Sequence, residues 1–273
     1  METNYSVLMS VYYKENPEYL KEAIESIQLQ TKKTNDFVLV CDGPLNSKLN
    51  DVINKKQHEM ERTLNVVRLP ENRGLGNALN EGIRHCKNEL IARMDSDDIS
   101  YPDRCEKQLR LFNEKHEISI CSGTVEEFTE NIDIVDARRV LPETNDEILD
   151  FAKKRNPFNH PCVMYKKSAV EEAGSYQDFY LLEDYYLWLR MLLNGNNGYN
   201  FQEPLLHMRA GTDMYKRRAG WKYANSQKKL FSYMKKEGII GNVQYIKSCV
   251  IRSGSALAPN WIRKLAFEKV LRK

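Results

Sequence analysis

No apolar run in this chain approaches the ~20 residues that a helix needs to cross a bilayer. The opening residues, Met1 to Tyr5, are polar and lead straight into an apolar segment, with no basic n-region, apolar h-region or cleavage site. A protein made and kept in the cytosol is therefore expected. The 6 cysteines (Cys41, Cys86, Cys105, Cys121, Cys162, Cys249) are scattered, with no C-x-x-C pair and no closely spaced histidine. That argues against a zinc site or a disulfide framework and leaves them as small core residues. Internal repeats and low-complexity linkers are also lacking, so the 273 residues read as one large α/β domain with a small appendage.

Acid is scarce at one end of the chain. Residues 214–273 hold 15 Lys and Arg against 2 Glu, an excess of +13 that leaves −10 for residues 1–213 within the overall +3. The split points to an acidic, metal-using body and a basic region that meets an anionic surface, either nucleic acid or anionic lipid.

Along the body, residues 6–11, 37–41, 64–69 and 90–95 are short apolar runs that read as buried strands. Between them, residues 18–30 place Leu20, Ala23, Ile24 and Ile27 at helical spacing after Pro17, and residues 77–86 do the same with Ala78, Leu79, Gly82 and Ile83. This alternation predicts a mostly parallel, doubly wound sheet. Further on, strands are expected at 118–125 and 162–165, and helices near 145–154, 168–173 and 181–193, with a basic helical region beyond Gly211.

The chemistry-bearing residues cluster at strand ends. The run Leu90-Ile91-Ala92-Arg93-Met94 ends in Asp95-Ser96-Asp97-Asp98, delivering two hard oxygen ligands, Asp95 and Asp97, to the sheet edge where such folds bind substrates. Mg²⁺ or Mn²⁺ holding a diphosphate would suit them; an Asp-rich turn is the plain alternative. Tyr12 follows the first strand and Asp42 the second, so both should line the same crevice, with Asp42 able to accept hydrogen bonds from a base. Arg73, in the loop after the third strand, offers a fork of donors to phosphate, or is a solvated charge. Asp42 before Gly43-Pro44 also suits a plain turn, and Glu183-Asp184 a helix N-terminal acidic pair.

Five segments in order carry a resemblance: Ser6 to Tyr12, Leu39-Val40-Cys41-Asp42-Gly43, Asn72-Arg73-Gly74-Leu75-Gly76-Asn77-Ala78-Leu79-Asn80, Met94 to Asp98 with Pro102-Asp103-Arg104, and Leu182-Glu183-Asp184-Tyr185. Over residues 5–210 the chain resembles the inverting family-2 nucleotide-sugar glycosyltransferases of the GT-A fold. The resemblance implies that Tyr12 and Asp42 hold uracil and ribose, that Arg73 and Ser96 lie by the nucleotide, and that Asp95 and Asp97 are the metal-binding DxD pair with Asp97 the direct ligand. It also implies that Asp184, with Glu183 beside it, is the base that takes the acceptor hydroxyl's proton. His160, Trp188 and His207 are candidates for the sugar or acceptor site, each with a structural alternative, and for Trp188 that is a place in the core. The Gln-x-x-Arg-Trp motif and membrane helices of processive members are absent, so one sugar per encounter is expected.

The spelling Tyr12-Tyr13-Lys14-Glu15-Asn16-Pro17-Glu18-Tyr19-Leu20 looks like the branch that assembles bacterial capsule, O-antigen or exopolysaccharide repeat units. The expectation is thus a metal-dependent hexosyltransferase that moves galactose or glucose, β-linked, from a UDP-sugar to a saccharide on undecaprenyl diphosphate at the inner membrane face. Residues 1–212 would form the catalytic domain, with a nucleotide-sugar half (1–105) and an acceptor half (106–212). Residues 213–273, where Trp261, Ile262, Leu265 and Phe267 alternate with Arg263, Lys264 and Lys269, would lie on an anionic membrane or pack on that domain, with no role for nucleic acid. The alternatives are a sugar-nucleotide nucleotidyltransferase, which would want a Gly-rich phosphate loop near the first strand, and a basic membrane- or nucleic-acid-binding module with structural aspartates.

Overall fold

The computed structural model describes residues 4–210 and 219–257. The chain alternates strand and helix as β1 (Tyr5–Val11), α1 (Pro17–Gln28), β2 (Asp36–Cys41), α2 (Ser47–Met60), β3 (Leu64–Arg68), α3 (Leu75–His85) and β4 (Leu90–Asp95). It continues through β5 (Ile99–Ser100), α4 (Arg104–Glu114), β6 (Ile118–Phe128), β7 (Ala137–Arg139), α5 (Asn145–Ala152), a 3₁₀ turn (His160–Cys162), β8 (Met164–Lys166) and α6 (Lys167–Glu172). Last come α7 (Glu183–Leu193), β9 (Asn197–Arg209), α8 (Gly220–Lys236) and α9 (Asn242–Leu257).

The sheet runs in the order β3-β2-β1-β4-β8-β6-β9-β5, with β7 hydrogen-bonded to β6. The first four strands are parallel, which requires the crossover helices α1, α2 and α3 to cover the sheet. Beyond β4 the sheet is mixed: β8 is antiparallel to both β4 and β6, while β6 and β9 pair in parallel with register shifts around Gly123 and Thr124. Alternate residues of the buried strands feed two cores. Leu8, Val38, Val40 and Ile91 pack with α3, α7 and α8, while Val7, Met9, Phe37 and Leu39 pack with α1 and α4 on the other face.

Most elements lie within two or three residues of their sequence-based positions. Besides the short strands β5 and β7, three longer elements were not anticipated. The helix α2 buries only Leu49, Ile53 and Lys56, too sparse an apolar stripe to register as helical periodicity. In α4 the buried stripe includes Arg104 and Gln108, which disguise it. The long strand β9 contains Gln202, Glu203 and Pro204 across its bulged pairing with β6, so no period-2 alternation survives. The basic helical region appears as α8 and α9, and the amphipathic pattern at 261–271 lies outside the described residues. Five of the cysteines are buried and all six are free thiols.

Register places the functional edge. Val11 pairs with Cys41 and Ser10 with Asp95, so the chain leaves β1, β2 and β4 on the same side of the sheet. The packing behind that edge is close: a Cβ on Gly82 of α3 would stand 2.2 Å from Leu8 Cδ1 and 2.9 Å from Val40 Cγ2. Gly82→Ala should therefore destabilise the fold by about 1–3 kcal/mol through overpacking, despite alanine's better helix propensity. Thermal denaturation checks this; an unchanged or raised midpoint would mean that Leu8 can re-pack freely.

Candidate active site

The strand β4 carries a charge in its apolar run. Arg93, only 1% exposed, lies two residues before Asp95 and so on the same face of the strand. Its Nη1 donates to Asp95 Oδ2 at 3.0 Å and its Nη2 to Asp95 Oδ1, a bidentate clasp that sets the carboxylate at the strand end. The Arg93 carbonyl in turn accepts a hydrogen bond from Arg104 Nη2 at 2.7 Å, and Arg104 also reaches the carbonyls of Pro161 and Val163. The Pro102-Asp103-Arg104 segment thus ties β4 to the turn before β8.

The following carboxylates are held differently. Asp98 Oδ1 accepts the Arg209 backbone N–H at 2.9 Å, while its Oδ2 is buried without a partner, and burial with the charges of Asp97 and Asp95 holds its carboxyl well above the ordinary range. Ser96 Oγ donates to Glu15 Oε2 at 2.6 Å, bringing in a carboxylate from the turn after β1. Asp97 is pushed up to about 7 by burial and by the negative charges of Asp95 and Glu15, against its own backbone N–H and Arg93. Of the three aspartates, Asp97 is the one whose carboxylate accepts no hydrogen bond from another of the described residues. Among the described residues no group of three or more His, Cys, Asp or Glu is assembled into a cage. The donor set nevertheless fits a hard cation. Mg²⁺ or Mn²⁺ is commonly held by one or two carboxylates and completes its shell with phosphate oxygens and water.

The loops after β2 and β3 fold together beside this pair. Asp42 is buried, its Oδ1 accepting the Arg73 backbone N–H at 2.7 Å and its Oδ2 that of Gly74 at 3.0 Å. Gly43 has φ +87°, and a Cβ there would lie 2.6 Å from the Asn72 backbone nitrogen, so the two loops meet only because this residue is glycine. The Arg73 side chain stands out toward solvent with Glu71 at 3.4 Å, and Tyr12 is exposed, edge-on to Tyr13.

The first turn of α7 presents Glu183 and Asp184. Asn156 Nδ2 donates to Asp184 Oδ2 at 2.7 Å and the Tyr185 N–H to Oδ1 at 2.7 Å, which orients the carboxylate. Glu183 is pushed up to about 7 by burial and by Asp184, with Arg93 drawing it down. Arg93's charge acts likewise on His160, whose pKa burial and that charge hold well below its usual value, so the ring is neutral. His160 Nε2 lies 2.9 Å from Tyr176 Oη, and the Tyr176 backbone is clamped by Asn80, which donates to its carbonyl at 2.7 Å and accepts its N–H at 2.9 Å.

A model of the family described as Glycosyl transferase family 2 matches residues 6–174. The chain belongs to this family. Within it, the chain is 38% identical over 98% of its length to the Escherichia coli protein named UDP-Gal:alpha-D-GlcNAc-diphosphoundecaprenol beta-1,3-galactosyltransferase, covering 97% of that protein. It is 38% identical, over 97% of its length and 98% of the relative's, to an amylovoran biosynthesis glycosyltransferase of Erwinia amylovora. Among solved structures, TarS of S. aureus, crystallised as residues 1–349 with UDP-GlcNAc, superposes with a TM-score of 0.69 at 15% identity, over 98% of this chain and 76% of that one. That likeness is one of fold, and the fold is GT-A.

Two of the site expectations for this family-2 chain meet a different environment. Trp188 is 0% exposed, enclosed by Phe158, His160, Tyr165 and Tyr176 with ring centroids 5.9–6.3 Å away. It has no face on which a sugar could stack, and the sugar-site reading of Trp188 is corrected to a core role, set by the apolar face of α7. His207 is stacked on Tyr101 at 4.3 Å, with Phe128 edge-on and Glu126 at 3.7 Å; burial lowers its pKa. Arg93, Glu15, Asn156 and Arg209 were not identified from sequence. Arg93 carried a readable signal, a charge inside an apolar strand that needs a buried partner; the other three meet the site only through long-range folding.

If Asp97 takes the cation, a proton and the metal compete for it. Affinity for Mn²⁺ in the presence of UDP should then fall roughly tenfold per pH unit below about 7 and level off above it. Calorimetry between about pH 5.5 and 8 measures this, and a flat profile would exclude Asp97 as the ligand.

Proposed function

We propose that this family-2 protein is a non-processive, inverting hexosyltransferase that moves galactose or glucose from a UDP-sugar to a saccharide carried on a lipid diphosphate, in assembly of a bacterial surface polysaccharide. The observation that carries the reading is the 38% identity, across 98% of the chain, to a protein named for transfer from UDP-Gal to GlcNAc-diphosphoundecaprenol. A β linkage and a non-processive mode follow that relative and the lack of any helix, among the described residues, long and apolar enough to cross a membrane.

In this reading residues 1–105 serve the donor and 106–212 the acceptor. Tyr12, Asp42, Arg73, Ser96 and Asp95 border the nucleotide. Asp97, with Asp95 behind it, would hold Mn²⁺ or Mg²⁺, which when bound neutralises charge on the departing diphosphate. Arg93 fixes the Asp95 carboxylate, and Asp97, pushed up to about 7, gives up a proton on binding. Asp184 takes the proton of the acceptor hydroxyl as its oxygen attacks the anomeric carbon opposite UDP. The Asn156 and Tyr185 donors orient its carboxylate, and the neighbouring Glu183 holds a proton more readily than an ordinary glutamate. His160 and His207 remain acceptor-side candidates, of which His160 is hydrogen-bonded to Tyr176. The acceptor places the enzyme on the inner face of the cell membrane, with the basic C-terminal region, +13 over residues 214–273, against anionic headgroups.

The test pairs a panel of UDP-hexoses with synthetic GlcNAc- or GalNAc-diphospholipids and reads UDP release and product mass. One added hexose from a single donor is expected. Asp184→Asn should lower kcat by about 10²–10⁴-fold while binding UDP as the wild type does. Transfer at wild-type rate in that variant would remove Asp184 as the base. No product with any lipid diphosphate would overturn the acceptor class.

A further inference from the structure

The turn that follows α5 does more than support Asp184. Residues 153–156 run Lys153-Lys154-Arg155-Asn156, and Asn156 is the residue that donates to Asp184 Oδ2 at 2.7 Å. The helix α9 is fastened to this turn at two points: Gln244 Nε2 donates to the Lys153 carbonyl at 3.1 Å, and Arg252 Nη2 to the Lys154 carbonyl at 2.7 Å. A second anchor joins the turn to α7, where Tyr185 Oη donates to the Ala152 carbonyl at 2.5 Å.

Between these contacts two half-buried guanidinium groups, Arg155 and Arg252, come together, with Arg139 near enough to add its charge. Arg139 is paired with Glu127 at 2.6 Å, and Lys153 and Lys154 share Asp150 at 3.3 and 3.2 Å. No carboxylate of the described residues lies within ion-pair distance of Arg155 or Arg252. The Phe151 ring lies beneath Arg155, 5.6 Å from the guanidinium carbon. Burial, Arg252 and Arg139 together lower the pKa of Arg155. Gathering like charges in a half-buried place costs energy that an anion between them would offset.

We propose that Arg155 and Arg252 bind the phosphate groups through which the acceptor saccharide is attached to its lipid. The inference rests on the acceptor class proposed above. It explains a placement that the catalytic carboxylates leave unused: Arg155 directly precedes Asn156, the group that orients Asp184, and Arg252 is bonded to the carbonyl of Lys154 in the same turn, so a diphosphate held there would bring its attached sugar toward the base. Arg252 also comes from a helix whose outer side is apolar. Val243, Ile246 and Val250 are 82%, 61% and 68% exposed at three- and four-residue spacing, one stripe of α9.

The test uses decyl diphosphate, with UDP and Mn²⁺ saturating so that the donor site is blocked, and reads binding by calorimetry. Wild-type protein should bind the probe. Arg155→Gln and Arg252→Gln should each weaken it by about 10-fold or more, as expected for loss of a charge-assisted hydrogen bond, and Arg155→Lys should recover part of the loss. With a GlcNAc-diphosphate-decyl acceptor the same variants should raise KM and leave UDP affinity as in the wild type. Equal affinity for decyl diphosphate in wild type and both variants overturns the site. So does a loss confined to sedimentation with phosphatidylglycerol vesicles, which would make it a headgroup contact. Should Arg155→Gln fail to fold by circular dichroism, Arg252→Gln at the helix surface decides alone. A wild type that binds the probe through these arginines but transfers no sugar to any lipid diphosphate would overturn the function proposed above and keep the anion site.

Discussion

The candidate site is organised by one buried charge. Arg93 stands inside a sheet strand with 1% of its surface exposed, where an unpaired guanidinium would cost several kcal/mol. The bidentate contact with Asp95 answers that cost, and in doing so it fixes the carboxylate that ends β4. The same charge reaches Asp97, Asp98, Glu183 and His160, moderating the burial of the three acids and opposing protonation of the histidine. A hydrophobic residue at position 93 would leave the strand intact and remove the cation around which both carboxylate groups are arranged.

Around that centre the carboxylates divide by their surroundings. Asp42 holds a loop through two backbone N–H groups, Asp95 answers Arg93, and Asp98 receives the Arg209 backbone. Asp97 and Glu183, both pushed up to about 7, are left with negative neighbours. Five carboxylates near one sheet edge therefore sit in distinct surroundings: Asp42, Asp95 and Asp98 accept hydrogen bonds from other residues, whereas burial and negative neighbours raise Asp97 and Glu183.

The surroundings of Asp184 are assembled from segments far apart in the chain. The turn after α5 supplies Asn156, α7 supplies Glu183 and Asp184, the 3₁₀ turn supplies His160, and α9 clasps the turn after α5 from outside. Trp188 fills the space beneath these pieces, where its indole couples Phe158, His160, Tyr165 and Tyr176 into one packed unit. Its place there, and not against a sugar, follows from facing inward on α7 with Leu187 and Met191.

By itself the sequence determined the alternation of strands and helices, since continuous apolar runs and 3.6-residue stripes are local patterns. It also determined that Asp42, Asp95 and Asp97 share one edge, because parallel strands must leave on the same side. Where polar residues interrupt the stripe, as in α4, or bulges break the alternation, as in β9, local pattern carried no signal and the elements escaped notice. Only the tertiary structure decided which carboxylate is clasped and which arginines have no carboxylate of the described residues within ion-pair distance. Those outcomes depend on donors arriving from residues tens of positions away, as Asn156 does for Asp184 and Glu15 for Ser96. Spacing along the chain does not encode that proximity; the packing of the sheet and its covering helices does.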